Sequence, residues 1–181
     1  MEGLDMKKLI PVFLAFVLLC GCHSYTAYKD YYTDTADYPE IWTLSGFYRG
    51  QEERSPIFPD RLNDLTVISF FCRYDQQLPL GEGVQLLLEI QYPDKQAFTA
   101  EVDRITALTV PCPDAFGGLE AHALRLGVDL TSEYCLINRA EQTIYYVYLK
   151  NIPKEQVEFD QRYIPRGYSG YGETEPKGEN Q

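Results

Sequence analysis

The sequence predicts an α+β fold: an antiparallel sheet of about five or six strands with one helix packed on one face. Three observations carry that expectation. Val84, Leu86, Leu88, Ile90 and Tyr92 alternate with Gln85, Leu87, Glu89 and Gln91, the period-two pattern of a half-buried antiparallel strand. Residues 133–137 and 143–149 are β-rich runs on either side of the polar loop 138–142, which reads as a hairpin. Between these regions Ala97, Phe98, Val102 and Ile105 recur at helical spacing, while Lys95, Glu101 and Arg104 point outward.

The remaining elements follow in chain order. Residues 41–48 read as a first strand holding Trp42 and Phe47, with Gly46 at a bulge. Residues 49–64 are charged and interrupted by Pro56 and Pro59, so they read as loop. Residues 66–74 form a strand with Ile68, Phe70, Cys72 and Tyr74 on one face and Val67, Ser69, Phe71 and Arg73 on the other. Gly81-Glu82-Gly83 turns the chain into residues 84–92. Asp94 can cap the helix, and Pro111, Cys112 and Pro113 end it. Residues 120–128 are a weaker strand. Residues 150–165 run extended over the surface, with Phe159, Tyr163 and Ile164 as packing points. From Gly167 onward Gly, Pro and charge dominate, the composition of a disordered tail.

The leader speaks to address. Lys7 and Lys8 precede an apolar run over residues 9–20, about the length of a signal h-region and short of the roughly 20 residues a spanning helix needs. The run closes on Leu19, Cys20, Gly21 and Cys22: a branched aliphatic residue, a small one, glycine, cysteine. This resembles the lipobox of bacterial lipoproteins. The resemblance implies cleavage after Gly21 and a diacylglycerol thioether on Cys22, leaving the chain anchored in the cell membrane and facing outside the cytoplasm. Met6-Lys7-Lys8 makes a better start than Met1, because Glu2 and Asp5 do not suit a signal n-region. The chain then divides into a signal peptide (1–21), a lipid anchor and Tyr/Asp-rich tether (22–40), a single α+β domain (41–166) and a tail (167–181).

Two further stretches, LLLEIQYPDKQAFTAEVDRI (residues 86–105) and TIYYVYLKNIPKEQVEFDQRYIPRGY (residues 143–168), resemble small uncharacterised lipoproteins of Gram-positive bacteria. That likeness implies the α+β fold and an extracytoplasmic address. It implies no activity.

Charge narrows the function classes. The chain carries a net charge of -11, and the acids and bases of residues 1–21 cancel, so the mature part keeps all of it. An acidic surface gains nothing from nucleic-acid phosphates, and no nucleic-acid partner is expected. Anionic headgroups repel it too, so the domain is expected to stand off the membrane.

Catalytic motifs are sparse. Beyond Cys20 and Cys22, the cysteines are Cys72, Cys112 and Cys135, which allow one disulfide at most; Cys112, between two prolines, is the candidate free thiol. His23 adjoins the lipid site, which leaves His122 for any Cys–His pairing with Cys112 or Cys135. The chain has no GxSxG, CxxC or HExxH motif, and Gly81-Glu82-Gly83 does not open a helix as a phosphate loop would. Asp30, Asp34 and Asp37 lack the glycine and closing glutamate of a calcium loop. No metal or cofactor is expected. Tyr28, Tyr31, Tyr32 and Trp42 are the candidate binding residues, either as an aromatic platform for sugars or, more plainly, as packing against the fold. The expected role is a non-enzymatic binding module of the cell envelope, with a glycan or protein partner. The alternative is a cell-wall hydrolase using paired carboxylates, such as Glu89 and Glu120, or a thiol with His122.

Overall fold

The computed structural model describes residues 28–47, 54–77, 81–112, 116, 118–168 and 170. The lipobox, residues 19–22, and most of the expected tail lie outside the described residues. Seven strands form one sheet: β1 (Tyr28–Tyr32), β2 (Thr66–Gln77), β3 (Gly81–Gln91), β4 (Val110–Pro111), β5 (Glu120–Val128), β6 (Thr131–Asn138) and β7 (Thr143–Lys150). The helices are the short α1 (Tyr38–Ile41) and the longer α2 (Lys95–Leu108). This is an α+β arrangement with more sheet than the sequence predicts.

The strand order is β1-β2-β3-β7-β6-β5-β4, and every neighbouring pair is antiparallel. Two meanders, β1–β3 and β5–β7, therefore join along the β3–β7 ladder. Helix α2 carries the chain across one face to the far edge. It starts where Asp94 accepts a hydrogen bond from the Ala97 amide at 2.8 Å, and it buries Phe98, Val102 and Ile105. Those positions share one side of the helix, so the periodicity in the sequence becomes the packing face.

Each face of the sheet has its own core. On the helix side Val84, Leu86, Leu88, Ile90, Ile144 and Tyr146 meet α2, α1 and the segment holding Ile57, Phe58 and Leu62. On the other side Leu87, Tyr134, Leu136, Tyr145, Val147 and Leu149 meet the chain after β7, through Ile152, Val157, Tyr163, Ile164 and Tyr168. The expected half-buried strand is thus covered on both faces, because the C-terminal segment forms a strap over its second side. The packed chain reaches at least Tyr168, whose hydroxyl donates to the Ile152 carbonyl at 2.9 Å.

Three expectations need correction. The expected first strand at 41–48 is α1 followed by a 3-10 turn, Ser45–Phe47. Gly46 sits there for space rather than for a bulge: a Cβ would stand 2.3 Å from Val84 Cγ2. The first strand is instead β1, taken from the expected tether and paired from Tyr28↔Gln76 to Tyr32↔Cys72. In β2 the register shifts between Val67 and Ser69, which turns Val67 toward the core with Phe70 and leaves Ile68 at 53% exposure. One extra residue reverses the alternation on its N-terminal side, so the expected inward Ile68 points out.

The strap is held by polar chemistry as well as apolar contact. Arg73 is 2% exposed and Asp75 fully buried. The Arg73 Nε donates to Asp75 Oδ1 at 2.8 Å and Oδ2 at 3.0 Å, and Nη1 reaches the Gln156 carbonyl at 3.1 Å and the Glu158 carboxylate. Beside it Gln85 donates to the Gln156 carbonyl at 3.1 Å and accepts from the Glu158 amide at 2.7 Å. Arg73→Met leaves Asp75 buried without its cation and is expected to cost about 3–5 kcal/mol. Combining it with Asp75→Leu should recover most of that loss in urea unfolding. Additive losses in the double variant would contradict this account.

The β5–β6 hairpin turns on Asp129 (φ 50°) and Leu130 (φ 62°), between paired Val128 and Thr131. A two-residue turn of this hand suits Asn, Asp or Gly, and leucine bears a steric cost there. Leu130 is also 40% exposed. Leu130→Asn is expected to raise the unfolding free energy by about 0.5–1 kcal/mol, read as a higher urea midpoint at unchanged slope.

Candidate functional site

The aromatic residues singled out in the sequence are not brought together. Tyr28 and Tyr31 are exposed, at 59% and 52%, but alternation sends them to opposite faces of β1. Tyr32 packs against the helix-side core. Trp42 is buried, its ring centroid 4.9 Å from Phe47 and 5.2 Å from Phe58, with the Arg54 guanidinium 5.2 Å above it. No shared platform for a sugar forms from this set.

The candidate carboxylates are also apart. Glu120 lies two residues before His122 on the helix-side face of β5, whereas Glu89 faces the strap side of β3 beside Leu87. Three inter-strand steps, about 14 Å, separate the two strands, beyond the roughly 5–10 Å that glycan hydrolysis needs. Glu120 is engaged locally: it accepts from Arg139 Nη2 at 2.8 Å and lies 3.2 Å from His122 Nε2. The Arg139 hydrogen bond holds its carboxyl below the ordinary glutamate range, against the opposing effect of partial burial.

His122 is nine-tenths buried and stands opposite Cys135 in the β5–β6 register. Its Nδ1 has no hydrogen-bond partner among the described residues. Burial, reinforced by the Glu101 carboxylate, pushes the Cys135 thiol well above the usual range, so it stays protonated and makes a poor nucleophile. Cys112 is partly buried; its thiol is also raised by burial and lies 3.4 Å from the Val110 carbonyl as a donor. Cys72 and Cys135 are free buried thiols; three strands apart, they lie beyond the roughly 7 Å Cα reach of a disulfide.

One polar cluster escaped sequence reasoning. Glu133 is fully buried and accepts from Arg125 Nε at 2.9 Å, Arg125 Nη2 at 2.8 Å and the Ser55 hydroxyl. With Trp42, Phe47, Arg54, Pro56 and Tyr148 these residues line a cavity of about 10 Å³. That is room for about one water molecule and no organic ligand. The signal was present: Glu133 shares the inward alternation of Cys135 and Ile137. The partners Ser55 and Arg125 are 78 and 8 residues away, so only folding reveals them.

Among the described residues one accessible feature is an incomplete sheet edge. β2 runs over Thr66–Gln77, but β1 covers only Cys72 to Gln76. After Tyr32 the chain leaves the edge because the Asp34 side chain accepts from the Ala36 amide at 2.9 Å and starts the 3-10 turn Thr35–Asp37. The departure opens a groove of about 450 Å³ between Thr33, Asp34 and Thr35 on one side and Val67, Ile68, Ser69 and Phe70 on the other. Asp34 is the charged side chain of this lining, and Ile68 is its exposed apolar one. An uncovered strand edge presents backbone donors and acceptors that another strand can satisfy.

Among the described residues no group of His, Cys, Asp and Glu is arranged to hold a metal ion, and no helix is long and apolar enough to cross a membrane. No family model matches the chain, and no match was found among curated proteins or solved structures.

The Glu120–Arg139 bond gives a pH signature. A carboxyl whose folded pKa is depressed contributes stability above its unfolded value, about 4.3, and loses it as pH falls through the folded value. Arg139→Gln should therefore be less stable than the parent at neutral pH, with the two curves converging in acid. A constant difference down to low pH would show that Arg139 acts through packing.

Proposed function

We propose that this chain is a non-enzymatic interaction module of the cell envelope, anchored by a lipid on Cys22, that receives an extended segment of a partner protein along the open half of β2. The observation that carries the reading is the half-covered edge. β2 extends past its neighbour just where the register shift turns Ile68 outward. The rest of the polar chemistry supports it. The Arg73, Glu133 and Glu120 clusters are taken up by internal partners, and Cys135 is held as a buried, protonated thiol.

The partner's chemistry follows from the groove. Backbone pairing favours an extended segment, and Ile68 favours an aliphatic residue beside it. Asp34 in the lining and a chain charge of -11 favour Lys or Arg around that residue.

The test is titration of the full chain with a synthetic peptide of alternating Lys and Val, with an alternating Glu and Val peptide as control, followed by amide hydrogen exchange. The Lys/Val peptide should slow exchange over residues 66–71, and the Glu/Val peptide should not. Ile68→Lys, at an exposed site, should keep stability within about 0.5 kcal/mol and weaken the effect several-fold. Equal protection by both peptides, or protection unchanged in the variant, would overturn the edge as the binding site.

A further inference from the structure

The open half-edge lies at one end of the sheet, and the opposite end carries a different feature. The strand registers align Asp30, Tyr74, Val84, Lys150, Thr131 and Val128 near that opposite end, and Tyr28 stands two residues beyond this row on β1. At one corner stands Tyr28, 59% exposed. At the other stands the β5–β6 turn, with Val128 at 52% and Leu130 at 40% exposure. The corners are five inter-strand steps apart, about 24 Å.

Resting on the lipid-anchor reading above, we infer that this end of the sheet sits on the bilayer, with the lipid on Cys22 holding the Tyr28 corner and Val128 and Leu130 entering the interface at the other. Cys22 and Tyr28 are six residues apart, so even a fully extended connection keeps Tyr28 within about 20 Å of the acylated sulfur. β1 is paired to the body of the sheet, so the end row cannot drift far from the headgroups while the anchor is inserted.

Leu130 supplies an independent argument. It occupies a left-handed turn position that Asn or Gly would fill without strain, and it exposes its side chain to solvent. Leu130 thus bears strain in the isolated domain without the full gain of burial, and a lipid interface supplies that burial. Tyr28 is an aromatic suited to the headgroup level. Near this end Lys150 Nζ lies 3.8 Å from Glu82 Oε2, so these two charges offset each other. Asp30 and Asp129 also stand at this end, so the contact inferred is with zwitterionic headgroups, which the acidity does not repel. The geometry also places the partner groove at the far end of the sheet, where it faces away from the membrane.

The test uses the full lipidated chain in phosphatidylcholine vesicles, carrying a diazirine-bearing leucine analogue at Leu130, at Val128 or, as control, at Ile68. Flotation with the vesicles and the mass of the Cys22 peptide report the anchor; lipid adducts after illumination report the contact. Adducts at Leu130 and Val128 in several-fold excess over Ile68 support the inference. Leu130→Asn should float equally well yet lower the adduct yield of the probe at Val128. Flotation with equal or absent adducts at the three positions overturns this inference alone. Failure to float, with no lipid mass on Cys22, removes the anchor reading and this inference with it.

Discussion

The strap over the second face of the sheet depends on one buried cation. Arg73 projects from β2 into the buried layer beneath the strap, and a lone guanidinium there would be prohibitively costly. Asp75, two residues along the same strand, neutralises it, and its remaining donors are directed to the Gln156 carbonyl and Glu158. The Asp75 hydrogen bond raises the Arg73 pKa, so the cation persists wherever the protein is folded. The strap brings Val157, Tyr163, Ile164 and Tyr168 to the sheet, and their burial stabilises what the ion pair positions. Tyr31 on β1 reaches Glu158 from the far side at 3.2 Å, so the edge strand and the C-terminal strap share one polar joint.

A comparable joint closes the helix side. Arg104 on α2 pairs with Glu101 and donates to the Pro56 and Ile57 carbonyls at 2.7 and 2.6 Å. Glu101 also accepts from the Tyr146 hydroxyl at 2.7 Å, and Tyr146 is 2.7 Å from the Tyr92 hydroxyl. Helix, loop and sheet are fastened through Glu101 and Arg104, which helical spacing alone assigns to solvent. The interior is therefore rich in tyrosine and ion pairs, with both the polar and the apolar halves of those side chains in use. These fixed, internally satisfied groups leave the sheet's periphery as the place where chemistry remains available to a partner. There, the open stretch of β2 offers unpaired backbone and the opposite end of the sheet offers exposed apolar side chains.

Much of this fold was legible in the chain. The alternation of residues 84–92 became β3, the runs after Glu133 became the β6–β7 hairpin, and Asp94 capped the helix whose periodicity marked its buried side. What failed did so for identifiable reasons. Trp42 and Phe47 suggested a strand by propensity, but Gly46 must pack against Val84 and Tyr74, and a compact turn permits that approach. Period two directs Ile68 inward, but a register shift that no local pattern signals turns it out. The composition of residues 28–32, tyrosines among acids, suggests a tether; pairing with β2, about forty residues later, makes it the strand β1.

The sequence by itself determined the local grammar: where apolar side chains repeat, where a helix starts, where turns interrupt, and a leader that resembles a lipobox. Those features depend on neighbours within a few residues, which the chain order states directly. Tertiary structure alone decided that the sheet is covered on both sides, that Arg73 and Glu133 are buried with partners, and that β2 outruns β1. It also brought Tyr28 and Val128 to the same end of the sheet. Each of these depends on strand order and register between distant segments. A shift of one residue exchanges every side chain between faces, so long-range pairing carries information that local pattern does not contain.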